Sequence, residues 1–110
     1  MRRWSFTKGH GTENDFVLIL DRESMLEVEP AEVRFICNRR AGIGADGLLR
    51  AVLAKHVADW EGDGGLWFMD YRNADGSIAE MCGNGIRVFV RYLLDQDLVS
   101  GPVVEVATRD

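Results

Sequence analysis

The sequence contains little of what marks several large classes of protein. Its two cysteines, Cys37 and Cys82, are too few for a disulfide scaffold and lack the CxxC spacing typical of a zinc site. His10 and His56 lie far apart without a third residue in a ligand pattern, so the sequence predicts no metal site. No apolar run is long enough to span a bilayer, and the segment Met1–Phe6 has no hydrophobic region suited to secretion. These absences predict a cytoplasmic protein.

Clustered positive charge is also missing. The chain has 13 lysines and arginines against 18 aspartates and glutamates, a formal net charge of −5, and its internal basic pair is Arg39-Arg40. Nucleic acids and anionic membrane surfaces attract clustered lysine and arginine. We therefore expect neither nucleic acid nor a membrane as a partner.

What is present is typical of one globular domain. Hydrophobic residues make up 46% of the chain and charged residues 28%, which excludes disordered and fibrous classes. A chain of 110 residues can bury roughly two thirds of its unfolded surface around a single core. No internal repeat, low-complexity tract or linker divides the sequence, so residues 1–110 are predicted to form one domain.

Hydrophobic patterning predicts a mixture of strands and helices. Apolar stretches at residues 3–6 and 16–21 are interpreted as strands joined by the polar loop TKGHGTEND. Pro30 stands at a favourable first helical position, and apolar residues follow at helical spacing up to Cys37, which predicts a short helix with Cys37 in the core. GLWFMDYR and VVEVAT favour strands, whereas LLRAVLAKHV is compatible with either a strand or a helix.

A second helix is predicted after Cys82. The positions i, i+3, i+4, i+7 and i+8 of one helical face are occupied by Ile86, Phe89, Val90, Leu93 and Leu94. Val88 and Tyr92 widen this face, so we expect a helix that is apolar most of the way round and buried. Before it, Asp75-Gly76 within NADGS predicts a turn.

Cys82 stands at the predicted start of this helix. The free N–H groups and the positive dipole end of a helix start lower the pKa of a thiol and can bind a carboxylate. Gly83 and Gly85 allow a ligand to approach the backbone, and Asn84 adds a side chain that donates and accepts hydrogen bonds. Cys82 is therefore a candidate nucleophile or proton-transfer group. The alternative is a small buried residue before a core helix.

The segment GIGADG, Gly42–Gly47, matches the glycine pattern of dinucleotide-binding loops. It follows a predicted helix and precedes a predicted strand, which is the reverse of the order that such a loop requires. Its glycines are therefore interpreted as turn residues.

Four motifs, GTENDF, GIGADG, NADGS and MCGNGIR, occur in that order along the chain. Their order and spacing resemble the N-terminal half of the diaminopimelate epimerase family, from Phe6 to the end of the chain. The resemblance implies cofactor-independent interconversion of LL- and meso-diaminopimelate by two cysteines on opposite faces of the α-carbon. It also implies an α/β (α+β) fold in which a mixed, strongly curled β-sheet wraps around a central buried helix. Two such domains would enclose the site between them.

Position by position, the resemblance implies roles for five residues. Cys82 matches the catalytic cysteine of the first domain. Asn14 and Asn73 match substrate-binding asparagines. Gly83 and Asn84 match the backbone donors that hold the α-carboxylate of the substrate.

The chain departs from the family at Gly47, where some relatives carry a glutamine that contacts the substrate. It also has no second CG helix-entry motif, so inversion requires a proton-transfer group from a C-terminal half that this chain lacks, and the chain alone is expected to be inactive. The implied partners are diaminopimelate and that missing half, while a homodimer of the full-length enzyme stays open. Two alternatives remain: another amino-acid racemase of the same fold, such as a proline racemase-like enzyme, and a non-catalytic binding domain.

Overall fold

The computed structural model describes residues 5–11, 13–79 and 83–109, which form a five-stranded mixed sheet with two α-helices. In chain order the elements are β1 Thr7–His10, β2 Asp15–Leu20, α1 Pro30–Cys37, β3 Gly47–Leu53, β4 Trp67–Asn73, α2 Gly83–Asp95 and β5 Val106–Ala107. The strands lie in the order β1-β2-β3-β4-β5, with β2/β3 and β4/β5 parallel and the other two pairs antiparallel. The predicted α+β class and mixed sheet are confirmed. The expected strong curl of the sheet around one helix is wrong, because a helix packs on each face of the sheet. Neither described helix is long and apolar enough to cross a membrane.

Strand pairing brings distant parts of the chain to one end of the sheet. Phe16 in β2 pairs with Gly47 at the start of β3, and Gly47 pairs with Asn73 at the end of β4. Because β4 runs antiparallel to β3, the starts of β2 and β3 lie beside the last residue of β4. We call this the Asn73 end of the sheet. The loops before β2, before β3 and after β4 all meet there.

The two helices cover opposite faces of the sheet. On one face, α2 packs against the strands in a buried cluster of Phe16, Leu18, Leu49, Ala51, Trp67, Met69, Val88, Phe89, Tyr92 and Leu93. On the other face, α1 packs in a cluster of Val17, Ile19, Val33, Cys37, Ala45 and Leu48. Side chains alternate between faces along a strand, so a sheet covered on both faces needs strands that are apolar at consecutive positions, as FVLI is in β2.

β1 lies where the sequence pattern predicts a loop. The strand predicted at residues 3–6 is wrong at residues 5 and 6, which are in no strand, and residues 1–4 lie outside the described part of the chain. Phe6 is 49% exposed and so adds little to the core. β1 is an edge strand held by backbone pairing to β2, and its residues are exposed or half-buried. Hydrophobicity therefore does not identify it.

Strands β3 and β5 and helix α1 are each predicted in part from the sequence. The segment LLRAVLAKHV, whose pattern is compatible with either a strand or a helix, is mainly a strand. It forms most of β3, which pairs with β2 on one side and β4 on the other, and a single 3₁₀ turn, Ala54–His56, follows it. Helix α1 begins at Pro30, as predicted, and ends at Cys37, with a capping box formed by Glu29 and Glu32. VVEVAT contributes only its Val106–Ala107 pair to the sheet.

Helix α2 is confirmed, but its buried face is shifted from the predicted one. The buried residues are Gly85, Val88, Phe89, Tyr92 and Leu93, which follow the predicted spacing one position earlier in the chain. Leu94 is 37% exposed, and Arg87 and Arg91 are also exposed, so burial most of the way round is wrong. The wide apolar surface of α2 offers more than one face to the sheet, and packing against the strands selects one of them.

A buried acid, Asp70 of β4, holds three arginines on the face opposite α2. Its carboxylate lies 2.8 Å from Arg50, 2.9 Å from Arg72 and 2.7 Å from Arg109. Arg50 also pairs with the buried Asp21 at 2.7 Å. Burial by itself raises the pKa of Asp70, but the hydrogen bond from Arg72 and the nearby arginine charges outweigh burial and lower that pKa to about 2. The cluster ties β3, β4 and the residues after β5 together.

Candidate active site

A hydrogen bond joins the loop before β2 to the first turn of α2. Asn84 Nδ2 donates to Asn14 Oδ1 at 2.8 Å, which links residues 70 positions apart in the chain. The loop comes so close to the helix at Gly11 that a Cβ there would lie 3.2 Å from the Cβ of Asn84. The Gly11 N–H also donates to the carbonyl oxygen of Asn14 at 2.7 Å, which closes the loop. Two of the sequence-predicted site residues therefore meet at the start of α2.

Asn73 lies at the same end of the sheet but is held by its own turn. Its backbone N–H donates to Ser77 O and its carbonyl accepts from Gly76 N, both at 2.9 Å, which confirms the predicted NADGS turn. Its side-chain Nδ2 donates to Ser77 Oγ at 3.0 Å. Asn73 is two strands away from β2, or about 10 Å at the usual strand spacing. Among the described residues, no hydrogen bond connects it to Asn14 or Asn84.

Within the described part of the chain, the start of α2 is open at Gly83. Gly83 is exposed, and a Cβ there would meet none of the described atoms within 4 Å. The first turn of α2 carries no acidic side chain that would neutralise its N–H groups. A carboxylate could therefore bind at these N–H groups. Cys82 lies outside the described residues, so its place beside this helix start stays a prediction from the sequence.

Two carboxylates and two cations lie next to Asn14. Arg39 donates to Asp15 through two N–H groups at 2.8 and 3.1 Å and to Asp46 at 3.3 Å. Lys8 pairs with Asp15 at 3.1 Å. The hydrogen bond from Arg39 is the main reason that the pKa of Asp15 lies well below its usual range. Asp46 also accepts hydrogen bonds from Asn14 Nδ2 at 3.3 Å and from the Asp15 backbone N–H at 3.0 Å.

The sequence pattern does not single out this network. The interpretation of GIGADG as turn residues is correct for Gly44, whose φ is +84°, but it leaves out the carboxylate of Asp46. One feature of the sequence could have predicted this network. Asp46 directly precedes β3, Asn14 directly precedes β2, and Asp15 is the first residue of β2. Polar residues at adjacent strand starts tend to converge when the strands are parallel.

A polar cleft of about 410 Å³ opens beside this network, and its lining residues are His10, Gly11, Glu13, Asn14, Asp15, Arg39 and Asp46. Gly47 lies next to it, and a side chain at this position would clash with its neighbours in this arrangement. A Cβ on Gly47 would lie 2.8 Å from Arg72 O and 2.9 Å from the ring of Tyr71. The close approach of β4 therefore favours glycine at this position.

Cys37, the other thiol, is a core residue as predicted. It is only 4% exposed and packs between α1 and the sheet. Burial is the main cause that raises the pKa of this thiol to about 11, and the negative charge of Asp15 acts in the same direction. At neutral pH Cys37 is therefore almost entirely a protonated, inaccessible thiol.

We expect iodoacetamide to alkylate Cys82 much faster than Cys37 in the folded chain at pH 7 to 8. Alkylation requires an accessible thiolate, which burial denies to Cys37. Peptide mass spectrometry after a timed pulse of reagent measures both rates, and the denatured chain is the control in which the rates should converge. Equal protection of both cysteines, or faster labelling of Cys37, would contradict the assignment.

These features define a small α+β domain with a polar site where a helix start meets one end of a mixed sheet. The sequence profile of diaminopimelate epimerase matches residues 6–110, and the chain belongs to the diaminopimelate epimerase family.

Named relatives agree with this assignment. The chain is 54% identical over 104 residues to the diaminopimelate epimerase of Corynebacterium glutamicum (strain R), which covers 94% of this chain and 38% of that protein. It is 54% identical over 110 residues to the one from Thermobifida fusca, covering 94% of this chain and 40% of that protein. The chain is 53% identical over 109 residues to the diaminopimelate epimerase of Streptomyces coelicolor, and the match covers 97% of this chain and 38% of that protein. The chain thus spans about two fifths of the length of these relatives.

Proposed function

We propose that the chain is the N-terminal half of a diaminopimelate epimerase, an isomerase that interconverts LL- and meso-diaminopimelate for lysine and peptidoglycan-precursor synthesis without a cofactor. The family and the names of the relatives support this activity. Their greater length supports a C-terminal half that this chain lacks. The observation that carries the proposal is the hydrogen bond from Asn84 to Asn14, which gathers matched site residues at the helix start that directly follows Cys82.

In this proposal the α-carboxylate of the substrate binds at the start of α2. The backbone N–H groups of Gly83 and Asn84 have no partner of their own within the helix. Because the first turn carries no acidic side chain, these groups keep their full attraction for an anion. Asn14 and Asn73, at the same end of the sheet, would hold the remaining polar groups of the substrate.

Cys82 is proposed as the proton-transfer group on one face of the α-carbon. Its thiolate would take the α-proton, so that a C–H bond breaks and an S–H bond forms, and the electron pair stays on the substrate as a carbanion. Fixed N–H donors at the carboxylate stabilise that charge where water is excluded. A second thiol, from the missing half, would protonate the opposite face. In the reverse direction the two thiols exchange roles.

The proposal also includes a second domain and a central position for α2 in the fold. A second, similar domain would close the site over the Asn73 end. The packing of α2 against buried residues of β2, β3 and β4 supports a central position for this helix. A cytoplasmic location is also proposed, and the unpaired, buried thiol of Cys37 fits a reducing compartment.

The experiment that tests this function compares the 110-residue chain with a full-length protein that contains it. We expect the full-length protein to convert pure LL-diaminopimelate into the meso form and to incorporate deuterium at the α-carbon from heavy water. We expect no conversion by the chain alone, because one thiol that removes and returns a proton on the same face restores the starting configuration. Turnover by the isolated chain would contradict the half-site. Activity of the full-length protein on proline, with none on diaminopimelate, would contradict the substrate.

A further inference from the structure

The orientation of the Asn14 side chain is determined by Asp46. The Asp46 carboxylate forms an ion pair with Arg39 at 3.3 Å and, as an anion, can only accept hydrogen bonds. It faces Asn14 Nδ2 at 3.3 Å, which is long for a hydrogen bond. The reverse orientation of the amide would place Asn14 Oδ1 at that distance from the carboxylate, where two acceptors repel each other. The hydrogen bond from Asn14 Nδ2 to Asp46 is weak, but the repulsion between oxygens in the reverse orientation leaves the Asn14 amide a single orientation.

The orientation of the Asn14 amide also determines the orientation of the Asn84 amide. Since Asn14 directs Nδ2 toward Asp46, it presents Oδ1 to α2, and only a donor can pair with it there. Asn84 supplies Nδ2, at 2.8 Å. The Oδ1 atom of Asn84 accepts no hydrogen bond from residues 5–11, 13–79 or 83–109. Each amide thus keeps oxygen lone pairs that a donor group of a ligand could use.

Asp46 is itself held in place by contacts that do not involve either asparagine. Its backbone N–H donates to the carbonyl oxygen of Asp15 at 2.9 Å, and its carboxylate accepts from the Asp15 N–H at 3.0 Å. Arg39 bridges the carboxylates of Asp15 and Asp46. The carboxylate of Asp46 therefore has a defined position before any ligand binds.

We propose that Asp46 is a positioning residue that sets the donor and acceptor pattern of Asn14 and Asn84 in the site. It does not touch the substrate but acts through Asn14, and the pattern it imposes presents amide oxygens to N–H groups of an amino-acid substrate. This inference rests on the proposed function for its effect on catalysis, although the pattern of hydrogen bonds can be tested without it.

The test makes the same substitution, Asp46→Asn, in two backgrounds of a full-length protein that contains the chain. In the native background we expect kcat/KM to fall about tenfold, because the new amide can present either oxygen or nitrogen to Asn14 and no longer imposes one orientation. In an Asn14→Asp background, two carboxylates would face each other. There Asp46→Asn should raise kcat/KM about tenfold, because the new amide donates to the new carboxylate, which still accepts from Asn84.

Asp59→Asn is the matched control. It removes the same charge from an exposed position after the far end of β3 and should leave kcat/KM unchanged. A role of Asp46 limited to holding Arg39 predicts a loss of similar size in both backgrounds, and that result would overturn the proposal. The proposal is supported if Asp46→Asn lowers kcat/KM in the native background and raises it in the Asn14→Asp background.

A measurement that does not need turnover separates this inference from the proposed function. The side-chain amide signal of Asn84 in ¹⁵N–¹H spectra should shift in Asp46→Asn and return toward its native position in the double variant. If the native protein does not epimerise diaminopimelate, the proposed function is wrong, and the amide signals still decide the role of Asp46. An Asn84 signal that does not move in Asp46→Asn would overturn the inference.

Discussion

Cys82→Ala in the full-length protein is expected to abolish the epimerisation of diaminopimelate. Alanine has no group that can take or give a proton, so one face of the α-carbon loses its acid and base however well the substrate binds. Removing a general acid–base group typically costs up to about 10⁴-fold in rate. The measurement is the appearance of the meso form from pure LL substrate, with deuterium uptake at the α-carbon as a second readout.

Cys37→Ala is the matched control for this result. It removes the other thiol of the chain from a position that is 4% exposed in the core beneath α1. We expect turnover to be retained and the free energy of unfolding to fall by about 1 kcal/mol, because a small buried group is deleted. Epimerisation that survives in Cys82→Ala would refute the proposed mechanism, whether or not Cys37→Ala behaves as expected.

Asp70→Ala is expected to destabilise the domain by about 3–5 kcal/mol, because it leaves the partly buried Arg50 and Arg72 without their shared carboxylate. Arg50 and Arg72 have side chains only 12% exposed, so water cannot replace the lost partner well. A loss of this size is a large part of the stability of a small domain. Urea unfolding measures it, and Asp59→Ala, at an exposed position, should change the midpoint very little.

The same cluster should make stability depend on pH in acid. The pKa of Asp70 is about 2 in the folded state and 3.8 ordinarily, so the unfolded chain binds the proton more readily. The stabilisation from this carboxylate is therefore complete above about pH 4 and is lost as the pH falls toward 2, a difference of about 2 kcal/mol. In Asp70→Asn the unfolding free energy should depend less on pH in this window. An unchanged slope would contradict the role of the carboxylate.

Local patterns predicted those elements whose formation depends on local chemistry. Pro30 at the first position of α1 and the apolar residues after Cys82 fix helices within one or two turns of sequence. β1 could not be predicted in this way, since its only strong feature is backbone pairing with a strand farther along the chain. The buried face of α2 was shifted for a related reason: the sheet, not the helix, decides which apolar residues are covered.

The site was predictable in part. The motifs single out Asn14 and Asn84 as candidate site residues, but the contact between them spans 70 positions and cannot be inferred from either segment alone. Asp70 carries no signal of burial, because a charged residue within a strand ordinarily indicates a face exposed to solvent. Its partner Arg109 lies 39 positions away in sequence, beyond β5.

The hydrogen bond between Asn14 and Asn84 also imposes an order on the synthesis of the protein. At about 5–20 residues per second, the ribosome needs roughly 4 to 14 seconds to add the 70 positions that separate the two asparagines. During that interval the nascent loop before β2 has no helix to bind, while β2 can already pair with β3 and β4 as they emerge. The sheet can therefore assemble as a template first, and the pocket is completed only when the last quarter of this domain leaves the exit tunnel.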